Sequence, residues 1–531
     1  MKEIIKIIIC VLVVVLSASC SDFLETLPDN RTQINSATKI NQLLVSAYSG
    51  ANYSSLGELS ADNFNDNNAP NENGVYYNLA SYSMQEDQYF AWQPATFSTQ
   101  QDSPSYIWGN CYAAIAAANQ ALASIDELKK ANSLLNLDAQ KGEALFCRAY
   151  HHFILVNIFS QAYKDSTASL QDIGIPYATT PETVLIHQYS REMVTSVYSN
   201  IQKDIEEGYN LINDQIYNVP KNHFNKQAAG AFAARFYLFK RDYNKALKYA
   251  NDVLGSDPTA MMRDWGTKYQ NLSAAGYDYI DPSHACNLMI IPTKSLFFRS
   301  IGKRYGITGD AQRSTINGNG PTWNSRLPAF VGKVYTITGH SDYGGFLPKF
   351  VEMFEYTDKI AGIGFAHIVR TEFTAEETLL CRAEALVYLN RLPDALADLQ
   401  IWNKSHLVTT PLSEPLIKAF YTPQNTVYVK KLNPDKMSST FTISDQQLPY
   451  IQCVLHFRRI ESVLDGTRWF DIKRYGIEIN HAIGLFKVEN LTYNDPRRAI
   501  QLPQEVISAG IDPNPSPNTG TNGNSFSLLD N

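Results

Sequence analysis

Apolar residues first fall into a helical rhythm at Ile40, Leu43, Leu44, Ala47 and Tyr48, after the turn at Asn35 and Ser36, and the rhythm stops at Gly50. From Tyr53 to Pro104 it disappears into a polar stretch too long for a simple connector. It returns in SYIWGNCYAAIAAANQALASIDELKK, where Ile107, Cys111, Ile115, Ala118, Leu122 and Ile125 share one face. KGEALFCRAYHHFILVNIFS follows, apolar around most of its circumference and therefore predicted to be buried. REMVTSVYSNIQKDIEEGYNLI predicts one more helix, and IQCVLHFRRIESVLDGTRWFDIKRYGI reads as the last.

Two segments predict helix pairs. In NKQAAGAFAARFYLFKRDYNKALKYANDVLGSDP, Ala234, Tyr237, Ala246, Ala250 and Pro258 stand near the small, aromatic, small, small and proline places of a tetratricopeptide repeat. There the small residues let paired helices approach closely, and the proline is expected to close the second helix. EETLLCRAEALVYLNRLPDALADLQIWNKS repeats the pattern with Ala383 and Ala395. The two units are far apart in sequence, so no simple tandem array is predicted. Between them, residues 259–365 form a second irregular region, which carries Trp265, Tyr277, Tyr279, Tyr305, Trp323, Tyr335 and Tyr343 among Gly, Asn, Ser and Thr.

Composition narrows the function. The 531 residues carry a net charge of -7 without a basic stripe, which argues against nucleic acid as a partner. Past Cys20, five cysteines (Cys111, Cys147, Cys286, Cys381 and Cys453) lack CxxC spacing and sit mostly on apolar helical faces, where a thiol behaves as a small hydrophobe. HExxH, GxSxG, a P-loop and a GxGxxG after a strand are all missing. ADNFNDNN brings oxygen ligands together but lacks the glycine and glutamate of a calcium loop, and it reads as a polar turn. No cofactor, metal or catalytic residue is expected. The chain is unusually rich in Tyr (31) and Phe (25), with 6 Trp, and amides and hydroxyls lie between them in the loops, a mixture suited to polar, uncharged ligands.

The N-terminus carries Lys2 and Lys6, then an uncharged run to Leu16 of signal-peptide length, then Ser17, Ala18, Ser19 and Cys20. This resembles a bacterial lipobox, in which the cysteine is acylated and becomes the new N-terminus. We therefore expect a lipoprotein signal peptide at 1–19, an anchored linker at 20–35, one globular domain at 36–515 and a poorly ordered tail at 516–531. Within the domain, tetratricopeptide-like helices are expected mainly at 105–258 and 371–406, with loop-rich regions at 53–104 and 259–365.

These segments together resemble the SusD/RagB family of outer-membrane lipoproteins of the Bacteroidetes. CSDFLETLP resembles the family's start; YAAIAAANQAL, GEALFCRAYHHF, NKQAAGAFAARFYLF with DYNKALKYA, and LLCRAEALVYLNRL resemble its helices in order; QLPQEV resembles its close. RRIESVLDGTRWFDIKRYG is the most distinctive stretch, with Arg458, Glu461, Gly466, Arg468, Trp469, Asp471 and Arg474 where the family pattern expects them. Phe457 and Asp465 stand where the family usually has Glu, and Ser160–Gln161 where it has Gly-Asp. The resemblance implies a mostly α, SusD-like fold with tetratricopeptide-like pairs on one side and an irregular binding region on the other. It also implies a binding protein rather than an enzyme. Such a protein caps a TonB-dependent, SusC-like transporter at the cell surface, and its cargo is a glycan or, in some members, a peptide. A pure interaction scaffold and a two-carboxylate glycoside hydrolase are the alternatives of other classes.

A sugar needs an aromatic face for its C–H side and amides or carboxylates for its hydroxyl rim. Covering one such face removes roughly 50 Å² of apolar surface, or about 1.2 kcal/mol. On this chemistry the expected platforms are Trp92 and Trp323, then Tyr76, Tyr82, Tyr89 and Tyr305, with Asn63, Asn65 and Asp66 at the rim. Trp108, Trp402 and Trp469 read as scaffold.

Overall fold

The computed structural model describes residues 34–182, 189–336 and 345–516. Cys20, the leader before it, Tyr343 and the tail from residue 517 lie outside the described residues. The chain opens with α1 (Ala37–Val45), α2 (Ser54–Ser60) and α3 (Met84–Phe90). A helical block follows: α4 (Pro104–Ala131), α5 (Asp138–Phe159), α6 (Val194–Gly208), α7 (Lys226–Lys240) and α8 (Tyr243–Leu254). After the second irregular region come α9 (Ala375–Tyr388), α10 (Leu392–Ser405), α11 (Leu448–Glu461) and α12 (Arg468–Arg474). A continuous cluster of buried apolar side chains runs from Ile40 to Leu502, and Trp108, Trp402 and Trp469 belong to it, as do four of the five cysteines; Cys286 is buried as well.

Local chemistry starts these helices where the sequence suggests. Ser103 accepts the Tyr106 N–H ahead of Pro104, and Asn225 and Asp242 cap α7 and α8 in the same way. Thr374 caps α9, whose first turn carries Glu376 and Glu377. The small residues Ala234, Ala246, Ala250, Ala383 and Ala395 are all buried, and Tyr237 stacks on Tyr249 at 5.4 Å. Although the two repeat-like units are remote in sequence, α9 packs against both α8 and α10, so they join into one series. Arg382 ties this junction together. It forks onto Asp398 of α10 at 2.7 and 2.9 Å and donates to the Gly255 carbonyl beyond α8 at 2.7 Å.

Four expectations are corrected. Gly255, at φ 63°, ends α8, whereas Pro258 lies beyond the helix and starts a short turn. The second irregular region contains a three-stranded antiparallel sheet: β2 (Asn287–Lys294) and β4 (Glu352–Asp358) flank β5 (Ile363–Thr374). Residues 371–374 are thus strand, and the second repeat-like unit begins at Ala375. The final helix is two helices, broken between Glu461 and Arg468, where Leu464 and Gly466 take φ of 70° and 78°. A Cβ on Gly466 would lie 2.7 Å from the Ser54 Cα, so this break exists to let α2 come up against it. The departures from the family pattern are absorbed locally: Phe457 stacks on Trp402 at 4.0 Å, and Asp465 pairs with Lys349 at 2.9 Å.

Glu58 of α2 accepts the Gly466 N–H at 2.9 Å and is fully buried. Burial pushes its carboxyl up to about 7 despite that bond and a second from Asn63. A folded-state value above the unfolded one means the folded chain holds the proton more tightly, so this contribution is present below about pH 4.5 and lost as pH rises to 7. Glu58→Gln, which cannot ionise, is expected to flatten that part of the stability profile in chemical denaturation between pH 4.5 and 7. An unchanged slope would show that Glu58 is ionised when folded.

Candidate functional site

The two irregular regions meet through a two-residue ladder. β1 (Asn65–Asp66) pairs antiparallel with β3 (Tyr305–Gly306), Asn65 opposite Gly306 and Asp66 opposite Tyr305. A third component is a hairpin that the sequence reading missed: β6 (Ile479–Ile483) and β7 (Lys487–Leu491), joined by Gly484, Leu485 and Phe486. The alternation in INHAI and KVENL around a glycine was the signal that could have found it. Between these pieces lies a cavity of about 280 Å³, walled by the 64–77 segment (all but Asn68, Gly74 and Tyr76), Phe90, Thr308, Gly309, Arg313 and the strand Asn480–Ala482.

Asp66 holds the site together. Its buried carboxylate pairs with Arg304 at 2.8 and 3.0 Å and accepts the N–H groups of Asn68 and Gly484, each at 2.9 Å. The first of those bonds shapes the 66–77 loop and the second pins the hairpin turn. Arg304 also reaches Asp87 at 3.2 Å, and the Tyr305 hydroxyl donates to Asp87 at 2.6 Å, which adds the start of α3 to the assembly. Asparagine side chains do the work of backbone farther along the loop. Asn68 both donates to the Leu79 carbonyl (2.9 Å) and accepts the Leu79 N–H (2.8 Å), while Asn71 accepts from Asn73 and Val75 in a turn through Gly74 at φ 74°.

Beneath the cavity, His481 of β6 is sandwiched between Phe90 (4.1 Å) and Trp92 (4.2 Å). Its ring nitrogens face the carbonyls of Phe90 at 2.7 Å and Ala61 at 2.9 Å. Burial pushes this imidazole down from its ordinary range. The hairpin is thus wedged into the core at His481 while Asn480 and Ala482 stay exposed on its outer face.

The expected site residues divide. Asn65 and Asp66 line the cavity. Tyr76 (53% exposed) lies between two lining residues, Val75 and Tyr77, and Tyr82 (39% exposed) stands apart from the cavity lining. The others are not placed to touch a ligand. Trp92 is only 4% exposed, takes φ 50° where the chain turns after α3, and donates its indole N–H to the Ser60 carbonyl at 3.0 Å. Trp323 is 6% exposed, bonded to the Gly318 carbonyl at 3.0 Å and packed on Phe457. Tyr89 is buried with its hydroxyl on the Asp102 carbonyl, and the Tyr305 ring packs on Phe90 at 4.5 Å. Asn63 is buried between Glu58 and Arg459. Each is a packing or network residue because a loop of this length needs its own small core.

What remains at the cavity is mostly neutral. Asp66 is matched by Arg304, and Glu72 by Arg313 at 2.9 Å; Asn65, Asn71, Asn73 and Asn480 form the solvent-accessible hydrogen-bonding wall, with Asn67 and Thr308 buried behind it. Both carboxylates are committed to arginines. The calcium-like cluster is likewise committed, since Asp62 pairs with Arg468 at 2.8 Å.

Comparison with known proteins adds to this geometry. Residues 22–238 match a family model described as starch-binding associating with outer membrane, and residues 332–507 match the SusD family model. SusD-like protein P2 of Formosa agariphila is 25% identical over 247 residues, 45% of this chain and 44% of that protein, so the match spans less than half of the relative. Among solved structures, a SusD superfamily protein from Bacteroides thetaiotaomicron superposes with a TM-score of 0.58 at 17% identity, covering 91% of this chain and 100% of the other. A SusD-like carbohydrate binding protein from Bacteroides vulgatus gives 0.54 at 15% identity, covering 86% and 89%. At these identities the structures speak for the fold alone.

Proposed function

The chain belongs to the SusD/RagB family, and on that premise we propose that it is a lipid-anchored outer-membrane protein that captures oligosaccharides or polysaccharides and delivers them to a TonB-dependent, SusC-like transporter. The observation that carries the capture step is the cavity at Asp66. Its wall offers amides to a sugar rim, its charges are paired internally, and the Tyr77 ring stands among them. Such a wall suits a neutral saccharide better than a peptide with charged ends. Binding rather than hydrolysis fits the two ion-paired carboxylates, because a glycosidase needs one carboxyl free to donate a proton and another free to act as base or nucleophile. In this reading the anchor is a lipid on Cys20, supported by the lipobox-like Ser17–Cys20 that follows the apolar run. The packed helix pairs are the platform for the transporter.

The test is affinity electrophoresis of the chain from Ser21 onward through gels containing amylopectin, xylan, galactomannan, laminarin or arabinogalactan, with an assay for new reducing ends. Retardation by a polymer without new reducing ends is the expected result. Passage through every gel, with peptides bound instead, would contradict glycan capture, and new reducing ends would make the protein an enzyme.

A further inference from the structure

The cavity has a shortage that its neighbourhood can supply. At about 280 Å³ it lies at the small end of ligand pockets, which run from about 300 to 1,000 Å³, so a polysaccharide must project from it. It is also poor in open aromatic surface. Of the three phenyl and phenol rings lining it, Phe64 is buried and stacked on Phe297 at 6.2 Å, and Phe90 is buried with Tyr305 at 4.5 Å and His481 at 4.1 Å against it; Tyr77, half-buried, is the third.

Phe486 stands at the tip of the hairpin that forms one wall of this cavity, and it is 95% exposed. A single exposed phenylalanine is ordinary on a protein surface. This one is held. Its turn closes on the Ile483–Lys487 pair, the Gly484 N–H is bonded to Asp66 at 2.9 Å, and His481 wedges the strand below between two rings. Leu485 and Val488 beside it are exposed as well. With the backbone already held, only the two side-chain torsions of the bare ring remain to be ordered by a ligand, a small cost for a binding platform.

Resting on the glycan-capture reading, we propose that Phe486 is the stacking platform for sugar units that extend beyond the cavity, so that the protein selects chains longer than the cavity itself accommodates. The ligand class is a pyranose polymer or long oligosaccharide presenting C–H faces to the ring. Short saccharides would bind through the amide wall alone.

The experiment compares wild type, Phe486→Ala and Tyr77→Ala in the same five polysaccharide gels. It continues by calorimetry with a disaccharide and a heptasaccharide released from the polymer that retards the wild type. Because Phe486 buries almost nothing, its alanine variant should melt like the wild type. It should bind the heptasaccharide about sevenfold more weakly and the disaccharide unchanged. Equal heptasaccharide affinity in wild type and Phe486→Ala would overturn the platform while leaving glycan capture standing, and so would equal losses for both lengths. Failure of every gel to retard the wild type would overturn the capture reading, and the platform with it; the wild-type lane separates the two failures.

Discussion

Arg474→Met is expected to destabilise the folded chain by about 3–5 kcal/mol, enough to leave little soluble protein. Arg474 of α12 donates to both carboxylate oxygens of Glu384 on α9 and to Asp471 at 2.7 Å, all three residues being buried. Arg458 of α11 reaches Asp471 at 3.0 Å, and the Tyr475 hydroxyl donates to Glu384 at 2.7 Å. One cluster therefore joins α9, α11 and α12. Removing Arg474 leaves Glu384 with the Arg458 guanidinium 4.0 Å away as its nearest cation. A buried carboxylate without its partner costs far more than the intact pair contributes. For the same reason, Arg474→Met combined with Glu384→Leu should recover most of the loss, which denaturant titration of the single and double variants would measure. Burial alone would raise Asp471, but Arg458 and Arg474 hold it at about 2. With the folded value depressed, its contribution is present above about pH 4 and fades as pH falls towards 2.

Asp66→Ala is the second large effect, and it falls on the site. The substitution strips Arg304 of its main partner and leaves the N–H groups of Asn68 and Gly484 without an acceptor. We expect a loss of about 3 kcal/mol in stability, at the lower end for broken buried pairs because Arg304 is partly exposed, together with loss of polysaccharide retardation. Asp66→Asn should fall between, since an amide oxygen still accepts from the turn but no longer neutralises the guanidinium. Retained retardation in Asp66→Ala at a temperature where it is folded would mean that the site does not depend on this anchor.

The helices were legible because their information is local: Ser103 before Pro104, Asn225 and Asp242 as caps, and the spaced alanines of the paired helices all act within a few residues. The strand Asn287–Lys294 was not, because a short apolar run bounded by loops carries no period that distinguishes it from other buried segments. The site was half legible. Asn65 and Asp66 do line the cavity whereas Asn63 is buried, and which aromatic presents a face to water is decided by partners remote in the chain. Trp92 and Phe90 are covered by His481, which lies 391 residues beyond Phe90. Residue type in a loop says that a ring is present, and only the packing says that it is spent on the core. Phe486 escaped notice for the complementary reason, since nothing near it in sequence reveals that its turn is tethered to Asp66.

The central claim is that glycan is held at the cavity between residues 64–77 and the hairpin 479–491. The most direct measurement is calorimetric titration of the wild type and of Asn65→Ala/Asn480→Ala with the oligosaccharide of the retarding polymer. Both amides line the cavity, and neither takes part in the Asp66 ion pair. At about 1 kcal/mol for each hydrogen bond, the double variant should bind roughly thirtyfold more weakly while its unfolding temperature stays within a few degrees of the wild type. Unchanged affinity in a folded double variant would place the glycan elsewhere on the protein and contradict the account.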